Sequence, residues 1–352
     1  MKFKEFIAKY RPALERTIND YLYSKLNEKT DIPLYTSSIQ KIIDMVTAGK
    51  LIRGILVLLA YESKKNNISK DALTLAAAVE LFNTGILISD DIMDDDHMRR
   101  GKTTVFYKAI QEGIDIGNKK PRDYGNAIAT CISDIALFMA FELIGNIKDI
   151  SKVQKILYSS SREIQKTGYA QILDVHYGMN SLEPTEMEIY DIYKYKTARY
   201  TFSLPLIIGG VLSGYDAKNL KKFEEFGEEL GIAFQIKDDE IGIFGDENVI
   251  GKPIGSDIRE NKKTLLRYLL LKSTDEKTKK KLLRIFGSKK LTENNINFVK
   301  KSLIESKVLP AIQKIREDKS LTAIKILNTI NISKKYKYIF TDMVDFINNR
   351  DK

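Results

Sequence analysis

The chain has 352 residues, of which 43% are hydrophobic and 30% are charged, a composition that suits a globular protein with a sizeable core. Its single cysteine, Cys131, excludes a disulfide framework, and its two histidines, His97 and His176, leave no His-rich or Cys/His-rich zinc site. The formal net charge is +10, but the lysines are scattered through helical stretches without interleaved aromatic residues. We therefore expect a solvated basic surface and no nucleic-acid partner.

The first ten residues, MKFKEFIAKY, alternate charged and apolar side chains, which argues against a signal peptide. Uninterrupted apolar runs, such as residues 55–61, are much shorter than the about 20 residues that cross a membrane as a helix. The sequence therefore predicts a soluble, cytoplasmic protein without a membrane span.

Two segments in the first half of the chain, residues 73–88 and 127–144, are almost wholly apolar, as expected of helices buried on most sides. In the second half, residues 184–202 begin with a capping-box spacing, and residues 220–236 are amphipathic and become apolar toward their end. Convincing period-2 strand patterns are missing, and the breaks between helices are short. The pattern predicts one all-α domain over residues 1–352, with ten or more helices.

The first apolar helix ends in an acidic cluster within SDDIMDDDHMRRGKTT, residues 89–104. On a helix, Asp90 and Asp94 lie one turn apart on the same face, and Asp91 is offset by about 100°. A solvated acidic cap is the common alternative for such a cluster. These aspartates, however, follow four apolar turns and so emerge from the core, where like charges cost stability unless a cation offsets them.

A second acidic pair, Asp238 and Asp239, ends another apolar helix about 150 residues later. Two such pairs can face each other across a helical bundle. Mg²⁺ takes one or two carboxylates and completes its shell with water and substrate phosphate. Arginine and lysine side chains bind phosphate oxygens, and several stand near these clusters or in short motifs elsewhere in the chain. The combination predicts a diphosphate carried by Mg²⁺.

The ordered motifs resemble those of the trans-isoprenyl diphosphate synthases, or polyprenyl synthetases, over roughly residues 40–270. DDIMDDDHMRRG is similar to the family's first aspartate-rich motif, and GIAFQIKDDEIGIFGD is similar to the second. AGKLIRG, YAQILD and KTARYTFSLP resemble GGKRxRP, GQxxD and the KT segment, and GKPIGSDIRENKKT resembles the loop after the second motif. The short-chain, geranylgeranyl diphosphate synthase-like members are the most similar type.

The resemblance implies the isoprenoid synthase fold, an all-α bundle around a central cavity, usually as a homodimer. It also implies that isopentenyl diphosphate is joined to an allylic diphosphate (dimethylallyl, geranyl or farnesyl) with release of pyrophosphate. Breaking the allylic C–O bond puts negative charge on the departing diphosphate, which Mg²⁺ and fixed cations stabilise. The carbocation requires an apolar cavity closed to water, and no protein nucleophile is required.

By the same resemblance, the aspartates hold three Mg²⁺ ions. Asp90 and Asp94 hold two of them, with Asp91 in support, and Asp238 holds the third, with Asp239 close by. Five residues are expected to contact the allylic diphosphate, and they are Arg99, Lys196, Gln235, Lys252 and Lys262. Thr197 shields the carbocation through its carbonyl and hydroxyl. Four residues are expected to bind the isopentenyl diphosphate, and they are Gly49, Lys50, Arg53 and Arg100.

Three positions depart from the family pattern. Asn83 stands where many members have a histidine that faces the isopentenyl diphosphate, although an amide can still donate there. Leu51 replaces the first arginine of the GKRxR pattern. Gly242 stands in the place of the third aspartate of the second motif. These changes bear on substrate affinity rather than on the reaction class.

In this family, a bulky residue before the first aspartate motif forms the floor that limits product length. Gly85 and Ile86 are the fifth and fourth residues before Asp90, and we expect Gly85 to remove the nearest obstruction. Phe82 lies about one turn deeper, and a turn of 5.4 Å is close to the roughly 5 Å of an isoprene unit. We therefore expect a twenty-carbon product, geranylgeranyl diphosphate, with twenty-five carbons as the alternative, unless Phe82 is only a packing residue.

Two other functions are compatible with a helical bundle that carries acidic motifs. A terpene cyclase or head-to-head condensing enzyme shares the Mg²⁺ chemistry, but a full set of candidates for a second diphosphate site favours chain elongation. A non-catalytic regulatory subunit keeps the fold, but such subunits usually lose an aspartate motif, and both are present here.

Overall fold

The structure is a computed structural model that describes residues 1–28, 30–245, 254–288 and 290–350. It is helical almost throughout, so the all-α prediction is confirmed. Within these ranges the only strands are Met98–Arg99 and Lys102–Thr103, which pair as a short antiparallel hairpin.

The described helices follow one another with short connections. In chain order they are α1 (Phe3–Leu26), α2 (Tyr35–Thr47), α3 (Ile52–Lys65), α4 (Lys70–Met93), α5 (Val105–Asp115), α6 (Pro121–Gly145), α7 (Ile150–Gly178), α8 (Glu186–Ile192), α9 (Leu204–Ser213), α10 (Ala217–Phe244), α11 (Ser256–Arg259), α12 (Leu265–Ser273), α13 (Glu276–Ile285), α14 (Glu293–Glu305), α15 (Val308–Thr329) and α16 (Lys334–Asn348). A π-helical segment, Tyr193–Ser203, connects α8 to α9.

The chain divides into two compact units. The first consists of Met1–Ser159 and Pro205–Asp216, and the second of Ser160–Leu204 and Ala217–Lys352. The first unit holds the first aspartate cluster and the second unit holds the second. A single domain over the whole chain stays a prediction.

The first unit is built around α4, whose residues are buried on most sides as the sequence predicts. This helix packs against α1, α3 and α6. It approaches α6 closely at Gly85, where a Cβ would lie 2.8 Å from the Ser133 carbonyl oxygen. A larger residue at position 85 would therefore push these two helices apart.

The second unit is built around α10, which packs against the π-helical segment and α15. Gly231 lets α10 approach that segment, because a Cβ at this position would overlap the backbone of Ala198. On another face of α10, Phe226 packs edge-to-face against Phe340 of α16, with ring centroids 5.6 Å apart. These contacts fix α10, which carries the second aspartate pair near its end.

Two described helices, α4 and α6, are long and apolar enough to cross a membrane by length and composition alone. The most apolar 18-residue window of α4 is 72% buried inside the structure, and that of α6 is 44% buried. Core helices of soluble proteins pass the same test, so two such helices are weak evidence for a span. The sequence predicted helices buried on most sides in both places, over residues 73–88 and 127–144, and its expectation of no span rested on the short length of uninterrupted apolar runs.

Candidate active site

The first aspartate cluster lies at the C-terminal end of α4. Asp94 is the C-cap residue, and its backbone N–H donates to the Asp90 carbonyl oxygen at 2.9 Å. Asp91 is fully buried, whereas the Asp90 side chain is 19% exposed. The helix therefore places the Asp91 carboxylate in the core and the Asp90 carboxylate at its surface, in keeping with their offset of about 100° around the helix axis.

The hairpin after α4 turns Arg99 back onto the aspartates. Its two central residues, Arg100 and Gly101, have φ values of 54° and 73°, the left-handed conformation that a tight two-residue hairpin requires. The Arg99 guanidinium donates to Asp91 through Nε and to Asp90 Oδ2 at 3.2 Å through a terminal nitrogen. The same nitrogen lies 3.4 Å from Asp96 Oδ2. Three carboxylates thus share one arginine.

This arrangement leaves Asp91 in an unusual electrostatic environment. Burial raises the pKa of Asp91 to about 7, although the neighbouring Arg99 opposes that rise. Burial alone would lower the pKa of Arg99, but the carboxylates of Asp91 and Asp90 outweigh it and raise that pKa. In the part of the chain that the structure describes, Asp91 Oδ2 is buried and has no hydrogen-bond partner. An unsatisfied buried carboxylate oxygen beside further carboxylates suits a hard cation.

Arg100 points to a different group of residues from Arg99. A Cβ at Gly49 would lie 2.9 Å from an Arg100 terminal nitrogen, so this side chain lies over the loop before α3. The pKa of Arg100 is lowered first by burial and then by the charges of Arg99 and Arg53. The cluster formed by Gly49, Arg53 and Arg100 therefore has an excess of positive charge that an anion would relieve. Lys50 is exposed on the same loop.

Glu80 supports this cationic cluster and was not identified from the sequence. It is only 2% exposed on α4, and its carboxylate accepts the Gly54 N–H at 2.7 Å. Burial raises the pKa of Glu80, while the Gly54 N–H and then Arg53 and Arg100 oppose that rise. The sequence does contain a signal for this role: a glutamate inside the apolar run of residues 73–88 needs a partner, because burying an unpaired carboxylate is costly.

Two of the three departures from the family pattern lie in the first unit. Asn83 is 4% exposed on α4, one turn after Glu80. Leu51 has a φ of 55° and a side chain that is 3% exposed, so it belongs to the core. Its side chain also lies beside the cationic cluster, since a Cβ at Gly49 would be 3.7 Å from Leu51 Cδ2.

The residues expected to set product length differ in their burial and in their contacts on α4. Phe82 is fully buried and packs edge-to-face on Phe141 of α6, with ring centroids 4.9 Å apart. Gly85 faces Ser133 and Leu137 of α6, so the reason given for Gly85 was wrong: its missing side chain leaves no open space on that face. Ile86 is partly exposed and lies one turn before Asp90. The influence of these residues on product length stays a prediction.

In the second unit, a hydrogen-bond chain joins the π-helical segment to the second aspartate pair. The Thr197 hydroxyl donates to Gln235 Oε1 at 2.7 Å, and Gln235 Nε2 donates to Asp239 Oδ1 at 2.8 Å. The Tyr193 hydroxyl donates to Asp239 and accepts the Leu265 N–H at 2.8 Å. The predicted residues Thr197, Gln235 and Asp239 are therefore brought together, and π-helical turns often occur at functional sites.

The two aspartates of the second pair have different environments. Asp239 is 3% exposed, and its pKa is raised well above its usual value, first by burial and then by Asp257. The Asp238 side chain is 53% exposed and lies 2.6 Å from an Arg350 terminal nitrogen. Asp239 is thus held inside the hydrogen-bond chain, and Asp238 is the carboxylate accessible to a metal ion.

Two predicted diphosphate ligands meet at a carboxylate that the sequence reasoning did not select. Asp174 Oδ2 accepts from the Lys196 ammonium at 2.6 Å and from the Lys262 ammonium at 3.2 Å. Burial alone would raise the pKa of Asp174, but the two lysines outweigh it and lower that pKa. Asp174 is the last residue of YAQILD. The sequence analysis recognised this motif but assigned no role to its aspartate. Lys252 lies outside the described residues.

The remaining departure, Gly242, lies beside another carboxylate. A Cβ at this position would lie 2.8 Å from Asp257 Oδ2. The space next to the missing third aspartate of the motif is therefore partly filled by Asp257 of α11.

The donor set fits Mg²⁺ that arrives with a diphosphate. Across the described ranges, no group of three His, Cys, Asp or Glu side chains converges as a ready metal cage. Such a cage is not required, because Mg²⁺ commonly takes one or two carboxylates and completes its octahedron with water and phosphate. Asp90, Asp94 and Asp238 supply oxygen ligands of the right kind.

The polyprenyl synthetase family model matches residues 35–303. The chain belongs to the polyprenyl synthetase family. The resemblance seen in the ordered motifs is therefore confirmed.

Curated relatives support the same family. A short chain isoprenyl diphosphate synthase of Methanocaldococcus jannaschii is 34% identical over 252 residues, which cover 72% of this chain and 71% of that protein. A geranylgeranyl diphosphate synthase of Saccharolobus solfataricus is 33% identical over 290 residues, which cover 82% of each protein.

Two solved polyprenyl synthetase structures have the same fold. A geranylgeranyl pyrophosphate synthetase from Pyrococcus horikoshii is 26% identical with a TM-score of 0.83, over 99% of this chain and 100% of that chain. A geranylgeranyl pyrophosphate synthase from Corynebacterium glutamicum, complexed with isoprenyl diphosphate and magnesium, has a TM-score of 0.91 over 99% of this chain and 100% of that chain. At 21% identity, that second likeness shows the fold alone.

Proposed function

We propose that this chain is a Mg²⁺-dependent, short-chain trans-prenyltransferase that joins isopentenyl diphosphate to an allylic diphosphate and releases pyrophosphate. The family match and the names of the curated relatives support the reaction class. One observation supports the proposal further: the side chains of the adjacent residues Arg99 and Arg100 contact two different clusters of residues. Arg99 binds the aspartates of the first motif, whereas Arg100 lies over the Gly49 loop. Two anion sites are what a condensation of two diphosphates requires.

In the proposed reaction, each cluster has a separate task. Asp90 and Asp94 hold two Mg²⁺ ions with Asp91 in support, and Asp238 holds a third. Bound Mg²⁺ neutralises negative charge on the allylic diphosphate. Arg99, Lys196, Gln235 and Lys262 would add fixed donors to that diphosphate as its C–O bond breaks.

The acceptor site and the proton transfer complete the proposal. Gly49, Lys50, Arg53 and Arg100 would hold isopentenyl diphosphate, with Asn83 as a further donor. The hydroxyl of Thr197, fixed by its hydrogen bond to Gln235, would leave the Thr197 carbonyl to face the carbocation. The departing pyrophosphate would remove the final proton, so the protein needs no base of its own.

We propose a twenty-carbon product and a homodimer. The name of the Saccharolobus solfataricus relative supports the product length. On α6, Ile135 is 38% exposed and Phe138 is 72% exposed, three residues apart on one face. Exposed apolar side chains on one helix face support burial of that face against a second copy of the chain.

The test of the proposed function is product formation by the purified chain alone. With Mg²⁺, isopentenyl diphosphate and each allylic primer in turn, the protein should release pyrophosphate and form a prenyl diphosphate that chromatography can size. A regulatory subunit would release no pyrophosphate unless a catalytic partner were added. A terpene cyclase would release pyrophosphate from an allylic diphosphate without isopentenyl diphosphate.

A further inference from the structure

Arg350 contacts the second aspartate motif. Arg350 follows α16, and one of its terminal nitrogens donates to Asp238 Oδ1 at 2.6 Å and to the Phe234 carbonyl oxygen at 3.2 Å. Its guanidinium carbon lies 3.7 Å from the centroid of the Phe234 ring. Asp238 and Phe234 lie one turn apart on α10, so a single arginine binds to one face of that helix.

Arg350 is held firmly, whereas Asp238 remains open. The Arg350 side chain is 11% exposed and the Asp238 side chain is 53% exposed. Two residues before Arg350, Asn348 exchanges hydrogen bonds with Ser320 of α15 at 2.9 and 3.1 Å, which anchors the end of α16. The packing of α16 therefore places the Arg350 guanidinium beside the Asp238 carboxylate.

From this geometry we propose that Arg350 is a positioning residue that competes with the divalent metal ion for Asp238. The inference rests on the proposed function, because it takes Asp238 as a metal ligand. A guanidinium 2.6 Å from a carboxylate oxygen repels a dication at the same carboxylate. The metal ion must therefore displace Arg350, or bind Asp238 more strongly than Arg350 does, before Asp238 can coordinate it.

The competition is expected to be moderate. An ion pair with one partner half exposed is screened by water and contributes little net stability. The metal ion, with two charges, can therefore replace the arginine. Arg350 would lower the apparent metal affinity of Asp238 by about two- to fivefold, the range that exposed ion pairs typically span.

Arg316 of α15 provides a matched control, because it binds a carboxylate on α10, the helix that carries Asp238. It donates to Glu240 Oε2 at 3.0 Å, and its side chain is 12% exposed. Glu240 lies two residues beyond Asp238 and is not a proposed metal ligand. Arg316→Gln thus removes an equally buried arginine and one positive charge without touching the Asp238 carboxylate.

The experiment measures Mn²⁺ affinity by water-proton relaxation, with the same concentration of inorganic pyrophosphate in every sample, because the metal ion takes part of its shell from a diphosphate. Mn²⁺ has the same preference for carboxylate and water oxygens as Mg²⁺. An Asp90→Asn/Asp94→Asn background leaves Asp238 as the remaining proposed ligand of the three. In this background, Arg350→Gln should tighten Mn²⁺ binding about two- to fivefold. Arg350→Lys, which keeps the charge, should stay closer to the parent, and Arg316→Gln should leave the affinity unchanged.

A further substitution separates the two ways in which this can fail. Adding Asp238→Asn should weaken Mn²⁺ binding and abolish the effect of Arg350→Gln. If Asp238→Asn has no effect, the metal assignment in the proposed function is wrong and the inference falls with it. If Asp238→Asn weakens binding but Arg350→Gln does not tighten it, or if Arg316→Gln tightens it equally, only the inference is overturned.

Discussion

The carboxylate of Asp174 binds the ammonium groups of Lys196 and Lys262 at the same oxygen, at 2.6 and 3.2 Å. Lys196 belongs to the π-helical segment and Lys262 to the chain after α11, so Asp174 on α7 joins two parts of the second unit. Two like charges this close would repel each other without the carboxylate between them. Asp174 therefore positions two of the cations that we assign to the allylic diphosphate.

Asp174→Asn should impair the allylic substrate selectively. The amide keeps the shape of the side chain but no longer offsets the two ammonium charges, so the lysines should move apart. We expect the KM for the allylic diphosphate to rise about tenfold or more, with a smaller change in the KM for isopentenyl diphosphate. Steady-state kinetics with each substrate varied in turn would measure this. Equal changes in both KM values would contradict the positioning role.

The metal assignment predicts a loss of turnover at three positions. Asp90→Asn, Asp94→Asn or Asp238→Asn should each lower kcat by about two to three orders of magnitude, because charge on the departing diphosphate is no longer neutralised. Asp95→Asn is the control in the same cluster, since Asp95 is 47% exposed and pairs with Arg122 at 3.0 Å. Circular dichroism should show an unchanged fold. A folded Asp90→Asn protein with normal kcat would exclude the assignment.

The divergence of Arg99 and Arg100 predicts that the two diphosphate sites can be impaired separately. Arg53→Ala or Lys50→Ala should raise the apparent KM for isopentenyl diphosphate much more than the KM for the allylic substrate. Lys196→Ala should have the opposite preference. Initial rates over a grid of both substrate concentrations would separate the two effects. If each variant changed both constants equally, the division of the sites would be incorrect.

The sequence predicted the fold class and the family because both depend on local or ordered signals. The apolar pattern of residues 73–88 and the spacing of Asp90 and Asp94 are properties of a single helix, and they survive in the structure. Glu80 and Asp174 were missed because their partners, Arg53 in one case and Lys262 in the other, are far away in the chain. The close packing at Gly85 was missed for the same reason: only the structure shows that the Ser133 backbone lies beside it.

Product length offers a test in which Gly85 and Ile86 should behave differently. Gly85→Phe would drive a side chain into the Ser133 carbonyl oxygen, 2.8 Å from the new Cβ, so it should destabilise the protein by at least about 1–3 kcal/mol. Ile86→Phe places the same bulk on the partly exposed face one turn before Asp90 and should shorten the main product. Chromatography of the products and thermal melting would separate the two outcomes. A stable Gly85→Phe protein with a shorter product would restore the original expectation.

Phe82 gives the complementary test of the floor. Its ring is fully buried against Phe141, so Phe82→Ala should cost about 3–5 kcal/mol of stability. If Phe82 also forms the floor of the cavity, the folded fraction should make a longer main product. An unchanged product distribution would assign Phe82 to packing alone.

The Arg199 network predicts how the stability of the second unit depends on pH. Arg199 lies in the π-helical segment and donates to Glu163 at 2.6 and 2.7 Å and to Glu224 at 2.6 Å. Burial alone would raise the pKa of Glu163, but the bonds from Arg199 outweigh it and lower that pKa below its ordinary value of 4.5. A carboxylate with a depressed pKa in the folded state stabilises the fold most above the pKa of the unfolded chain. This contribution is lost as the pH falls through the lower folded value.

Glu163→Gln should therefore act at neutral pH and lose its effect in acid. At pH 7 it should lower the free energy of unfolding by about 3 kcal/mol, because it leaves a buried guanidinium without one of its carboxylates. As the pH falls from about 4.5 through the lower pKa of folded Glu163, the wild-type protein progressively loses the same interaction, so the melting curves of the two proteins should converge. The matched control is Glu225→Gln, since Glu225 is 47% exposed and lies 4.0 Å from Lys221. Calorimetry from pH 3 to pH 7 would measure the wild-type protein and both variants. If the difference in melting temperature between the wild-type protein and Glu163→Gln stayed constant across this range, Glu163 would contribute by packing rather than by charge.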